Sequence, residues 1–119
     1  VNCVRTLPWV RGVHEKYASQ GLQVIGIHSP EFGYEKSRGS LAAEITRHGL
    51  AYPNLLDNDM AYWNALGNQY WPTTYLVDKC GRIRERHAGE VHAGEPSGHE
   101  LERAIEALLA EAPEACSRP

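Results

Sequence analysis

The stretch YWPTTYLVDKCGRIRERHA (Tyr70–Ala88) decides the fold. It holds two short runs, TTYLVD and RIRERHA, the first rich in β-branched and aromatic residues, joined through DKCG. Strand-forming runs separated by a short Asp/Gly link form an antiparallel hairpin. Pro72 stands just ahead of the first run. By residue type alone it marks the beginning of a strand, where a missing amide donor does no harm.

Working outward, SGHELERAIEALLAEA (97–112) follows a Gly/Glu/Pro loop. Ser97 with Glu100 predicts a capping box, and Leu101, Ile105, Leu108 and Leu109 predict the buried stripe of a helix. On the other side, MAYWNALGN predicts a short helix capped by Asp59, and YPNLL a brief strand. Ser40 is expected to cap a helix over 41–49 after the loop SPEFGYEKSRGS. LQVIGIH (22–28) reads as a buried, parallel strand. Before it, Cys3, Leu7, Val10, Val13 and Tyr17 recur at helical spacing, with Pro8 kinking the helix and Gly21 suited to a left-handed cap.

Helices between strands demand an α/β sheet, and the closing hairpin makes that sheet mixed. A helix at residue 1 that returns through a crossover should descend from a preceding strand. Without that strand, the 22–28 strand is expected to carry an unpaired apolar edge, which favours a homodimer. The domain is expected over 1–112, with 113–119 a fraying tail.

Composition bounds the rest. The 119 residues suffice for one modest core, and 42% hydrophobic with 23% charged residues is ordinary for a globular domain. A net charge of −3 predicts neither a nucleic-acid nor an anionic-membrane partner. Three cysteines are too few for a disulfide-built scaffold. His87, His92 and His99 lack a second ligand cluster, and DNDMAYW lacks the glycine and distal glutamate of a calcium loop, so no metal or cofactor is expected.

Taken in order, NCVRTLP, GLQVIGIHSPEF, YPNLLDND, YWPTTYLVD and GRIR resemble the redoxin branch of thioredoxin-fold proteins. The nearest resemblance is to the thioredoxin-like domain of DipZ-type and TlpA-type thiol:disulfide interchange proteins, over about residues 1–92. It implies a thioredoxin-like mixed sheet with flanking helices, the first strand of the fold lying outside this sequence. It further implies a Cys-x-x-Cys site at the start of the first helix. Asn2 and Cys3 match its last two positions, so Cys3 would be the resolving thiol and the attacking cysteine would stand just ahead of Val1. On that basis the chain as it stands is expected to show little reductase turnover. A thiol in a first helical turn is activated by the free amides and the helix dipole. Read without the resemblance, Cys3 is a small apolar residue.

The resemblance also implies that Pro72 is a cis-proline facing the cysteines, with the Trp71 backbone turned toward a substrate peptide. His28 and Glu31 follow the 22–28 strand, where ligands of open α/β sheets gather, and are candidates to tune the thiol. Protein thiols and disulfides are the implied partners, with a membrane electron donor upstream and an extracytoplasmic, membrane-tethered location. If Pro72 marks the site, Cys80 lies at the opposite pole and the final helix carries Cys116 toward it, so a Cys80–Cys116 disulfide is expected. Two other functions compete. YPNLLD also resembles peroxiredoxins, which would make Cys3 a peroxidatic thiol, and a redox-inactive interaction module would leave Cys3 incidental.

Overall fold

The computed structural model describes residues 2–30 and 38–112, with side chains of the first helix from Val4 onward. Its elements are α1 (Asn2–Tyr17), β1 (Gly26–His28), α2 (Arg38–His48), β2 (Asn54–Leu56), α3 (Ala61–Ala65), β3 (Thr73–Val77), β4 (Ile83–Ala88) and α4 (Pro96–Ala110). Contacts divide the chain into two compact units, Val1–Leu22 with Tyr70–Pro119, and Gln23–Gln69. Glu31 and Cys116 lie outside the described residues, as does the 113–119 tail.

In the first unit, α1 runs through Pro8 and ends in a 3-10 turn, Ala18–Gln20, closed by Gly21 at φ 112°. Only glycine adopts that conformation without strain. The buried face of α1 is Thr6, Trp9, Val13 and Tyr17, with Val10 half-buried beside it. Trp9, Val13 and Tyr17 share one core with Leu76 of β3, Val91, and Leu101 and Ile105 of α4, while Val10, Leu22, Leu108 and Leu109 pack against its rim. The stripe expected on α4 is therefore the one that packs. Where α1 meets α4, polar atoms find partners: Trp9 Nε1 donates to Glu102 (3.2 Å) and the Tyr17 hydroxyl donates to Glu106. Gly98 fits the same contact, since a Cβ there would sit 2.6 Å from the His92 carbonyl oxygen.

The α4 helix begins at Pro96 with Glu95 as its N-cap, and no side chain bonds the cap. The expected Ser97–Glu100 capping box is thus displaced. Proline at the first helical position has its φ preset and lacks an amide that would be orphaned anyway, so the helix starts one residue before Ser97 can cap it.

The β3–β4 hairpin is antiparallel, from Thr73 opposite Ala88 to Val77 opposite Ile83. Leu76 faces Glu85, so the register shifts beside Val77 and Arg84 is the extra residue of a bulge. The turn is organised by Asp78, whose Oδ1 accepts the amides of Cys80 and Arg82, both at 2.9 Å. Arg84 donates to Asp78 Oδ2 (3.1 Å) and grips Glu111 with both terminal nitrogens (2.9 Å each). The amides from Arg82 and Cys80 and the Arg84 guanidinium hold the Asp78 carboxyl down to about 2, against the burial that would raise it.

In the second unit, β1 and β2 pair in parallel across the α2 crossover, with Ile27 opposite Leu55. This corrects the expected seven-residue buried strand. Only Gly26–His28 find ladder partners, because β2 is three residues long, and Ile25 and Ile27 are 54% and 40% exposed. Among the described residues the strands form a parallel pair and an antiparallel pair rather than one continuous mixed ladder. The α2 helix is already formed at Arg38, so Ser40 lies inside it and does not cap it. Asp59 does bond the Ala61 amide (3.3 Å), but Asp57 is the stronger anchor of α3. Its carboxylate accepts the Tyr62 and Trp63 amides at 3.0 Å each and the Ser29 hydroxyl at 2.7 Å.

Candidate functional site

Cys3 belongs to the first turn of α1, with Asn2 the helix's first residue. Three residues further, on the same helical face, Thr6 is buried, and its Oγ1 accepts the Val91 amide at 3.1 Å. Arg5 on that turn meets the Glu90 carboxylate at 3.5 Å. The segment after β4 thus lies against the amino end of α1. Two residues before Val91, the Gly89 amide donates to the Pro72 carbonyl at 2.8 Å, extending the hairpin ladder by one bond. The Trp71–Pro72 peptide bond is cis.

These two hydrogen bonds, Val91 to Thr6 and Gly89 to Pro72, bring the helix turn that carries Cys3 and the Trp71–Pro72 pair to one end of the unit. Trp71 and Pro72 are half-buried, and Tyr70 beside them is 57% exposed. The Tyr70 carbonyl accepts the Thr73 hydroxyl at 2.8 Å, which pins the bend leading into β3. Thr6 is the residue that reading the sequence missed. A threonine on a helix face otherwise lined by Trp9, Val13 and Tyr17 is the signal, because a buried hydroxyl must find a partner.

The other sequence candidates belong to other elements. His28 closes β1 in the second unit, where its carbonyl accepts the Asp57 amide at 2.7 Å. Asp57 beside it is buried, which raises its pKa, but the Ser29 hydroxyl and the amides of Tyr62, Trp63 and Ala61 outweigh that and hold it below the usual carboxylate range. Cys80, in the hairpin turn, is disulfide-bonded. No cluster of metal-binding side chains occurs among the described residues. His87 and His92 turn instead to Glu90, at 3.3 Å to its carbonyl and 2.9 Å to its carboxylate.

With the α1 amino end and the cis-proline that opens the hairpin at one end of the unit, the chain has the fold of a thioredoxin-like domain. A solved thiol–disulfide isomerase from Corynebacterium glutamicum has the same fold, with a TM-score of 0.76 at 24% identity over 93% of this chain and 74% of that one. No family model matches the chain. Among curated proteins, DipZ of Mycobacterium bovis is 42% identical over 90 residues, 76% of this chain. The chain spans only 13% of the length of that relative. The thiol–disulfide oxidoreductase YkuV of Bacillus subtilis is 31% identical over 110 residues, 92% of this chain and 70% of YkuV. The chain belongs to the thioredoxin-like thiol–disulfide oxidoreductase family.

Proposed function

We propose that the chain carries out thiol–disulfide exchange with protein disulfides through Cys3, with Trp71 and Pro72 as the surface on which the partner peptide docks. The observation that carries this reading is the pair of hydrogen bonds that hold the Cys3 helix turn and Pro72 at one end of the unit. Cys3 in a first helical turn is biased toward thiolate by the free amides and the dipole of α1. In the exchange, that thiolate attacks one sulfur of a disulfide and forms a mixed disulfide. The other sulfur leaves as a thiolate. Asn2, which precedes Cys3 in the same helical turn, is the proposed modulator of the thiol.

The location we infer is extracytoplasmic. The Cys80 disulfide supports it, since such bonds persist in oxidising compartments. No helix among the described residues is long and apolar enough to cross a membrane.

The test is the rate at which the protein, freed of reversible oxidation, takes up oxidised glutathione at pH 7, read by intact mass. Cys3 should be the modified residue, at a rate about tenfold or more above that of an unstructured cysteine peptide. Cys3→Ser should abolish the adduct. Trp71→Ala should slow exchange with a disulfide-bonded protein more than exchange with glutathione. A Cys3 rate equal to that of the peptide would overturn the reading.

A further inference from the structure

We propose that Cys80 is bonded to Cys116, and that this bond is a structural brace fixing the C-terminal tail to the hairpin turn at the pole away from Pro72. Cys80 is disulfide-bonded, and the sequence offers two partners, Cys3 and Cys116. Geometry removes the first. The turn that carries Cys3 is tied through Val91 and Gly89 to the Pro72 end of the hairpin, whereas Cys80 sits in the turn at its other end. The five residues of β3 between them cover ~17 Å, against a limit of ~7 Å between the Cα atoms of a disulfide.

The second partner is supported by what the end of α4 touches. Lys79, next to Cys80, donates from Nζ to the carbonyls of Leu109 (2.9 Å) and Glu111 (2.6 Å). Arg84 holds the Glu111 carboxylate through two bonds of 2.9 Å. The chain therefore leaves α4 already fastened to the turn that carries Cys80. Five residues on from Glu111, Cys116 needs to reach no further than ~17 Å of extended chain.

The bond forms by exchange with a small-molecule disulfide oxidant. One thiolate attacks it and releases one reduced thiol, then the second thiolate displaces the other. Two thiols lose two electrons and two protons, and the oxidant gains them as two thiols. The inference does not depend on the function proposed for Cys3. It separates the sulfurs into an exchanging one at the α1 end and a resting pair at the hairpin turn.

The experiment uses the full chain carrying Cys3→Ser, oxidised with glutathione disulfide. The expected product is a monomer about 2 Da lighter than its reduced form that takes no alkylating label. Its unreduced tryptic digest should join Cys80–Arg82 to Ala104–Pro119. Alkylation of both thiols, or a disulfide-linked dimer, would overturn the pairing. So would a digest of the unsubstituted chain that joins Cys80–Arg82 to Val1–Arg5. Because the bond closes a loop of about 35 residues, reducing it should lower the Tm by about 10 °C, and Cys116→Ser should lower it equally without reductant. A linked digest with an unchanged Tm would overturn the bracing role.

Discussion

Gly98 and Gly12 lie in helices of the same unit and should respond in opposite ways to the same methyl group. Alanine is a better helix former than glycine by up to ~1 kcal/mol. Propensity alone therefore predicts that Gly12→Ala and Gly98→Ala both stabilise. At Gly12 nothing lies within 4 Å of the added Cβ, and the position is exposed, so the gain should be realised, at about 0.5–1 kcal/mol. At Gly98 the added Cβ would meet the His92 carbonyl oxygen at 2.6 Å and the Trp9 ring at 3.2 Å. The nearer atom is backbone, so relief requires moving the Val91–His92 segment or the start of α4. Overpacking of this kind costs about 1–3 kcal/mol. Gly98 is also the third residue of α4, where the propensity gain is smaller than in mid-helix. The net expectation is a loss of about 1–2 kcal/mol. With a urea m-value of about 1.5 kcal/mol/M, the midpoint should fall by about 1 M for Gly98→Ala and rise by about 0.5 M for Gly12→Ala. Two unfolding curves followed by tryptophan fluorescence decide it. A rise at both positions would refute the steric reasoning.

Three further outcomes follow from the polar contacts. Asp57→Ala removes the carboxylate that accepts the Ser29 hydroxyl and two α3 amides and should cost about 2–3 kcal/mol in urea unfolding, where a loss under about 0.5 would contradict the anchoring role. The Asp78 carboxyl is held down to about 2 from 3.8, so its contribution is complete above about pH 4 and fades as pH falls through 3.8 toward 2. The Tm gap between the unsubstituted chain and Asp78→Asn should therefore be constant from pH 7 to 5 and narrow below pH 4, and a gap that does not change with pH would exclude that carboxylate. Tyr17→Phe removes the hydroxyl that Glu106 accepts and should cost about 1 kcal/mol, and Glu106→Gln, which keeps an acceptor, should cost less.

The parts of this fold legible in the sequence are those whose signal is local. The Tyr70–Ala88 hairpin, the α4 stripe and the α1 helix through Pro8 each follow from neighbouring residues. The misplaced parts depend on distant residues. Nothing within LQVIGIH says that its ladder stops at three residues, because β2 sets that limit from residues 54–56. Ser40 and Ser97 carry cap signals, yet both helices start earlier, α4 because Pro96 presets its first turn. The role of Asp57 is hidden because Asp59 offers the same signal closer to α3, and only the folded Ser29 loop favours the former. At the candidate site, Cys3, Trp71 and Pro72 are marked by motif order. Thr6 is not, since its partner Val91 stands 85 residues away.

That separation has a consequence for how the molecule matures. During vectorial synthesis, α1 emerges well before its partner amide, which comes from a residue 85 positions beyond Thr6. Contacts between residues so far apart close only after the intervening polypeptide has left the ribosome. The exchange centre we propose, assembled across that tie, is therefore absent from every nascent intermediate that stops short of Val91. The proposed docking surface is therefore held against the Cys3 turn only after Val91 has been synthesised.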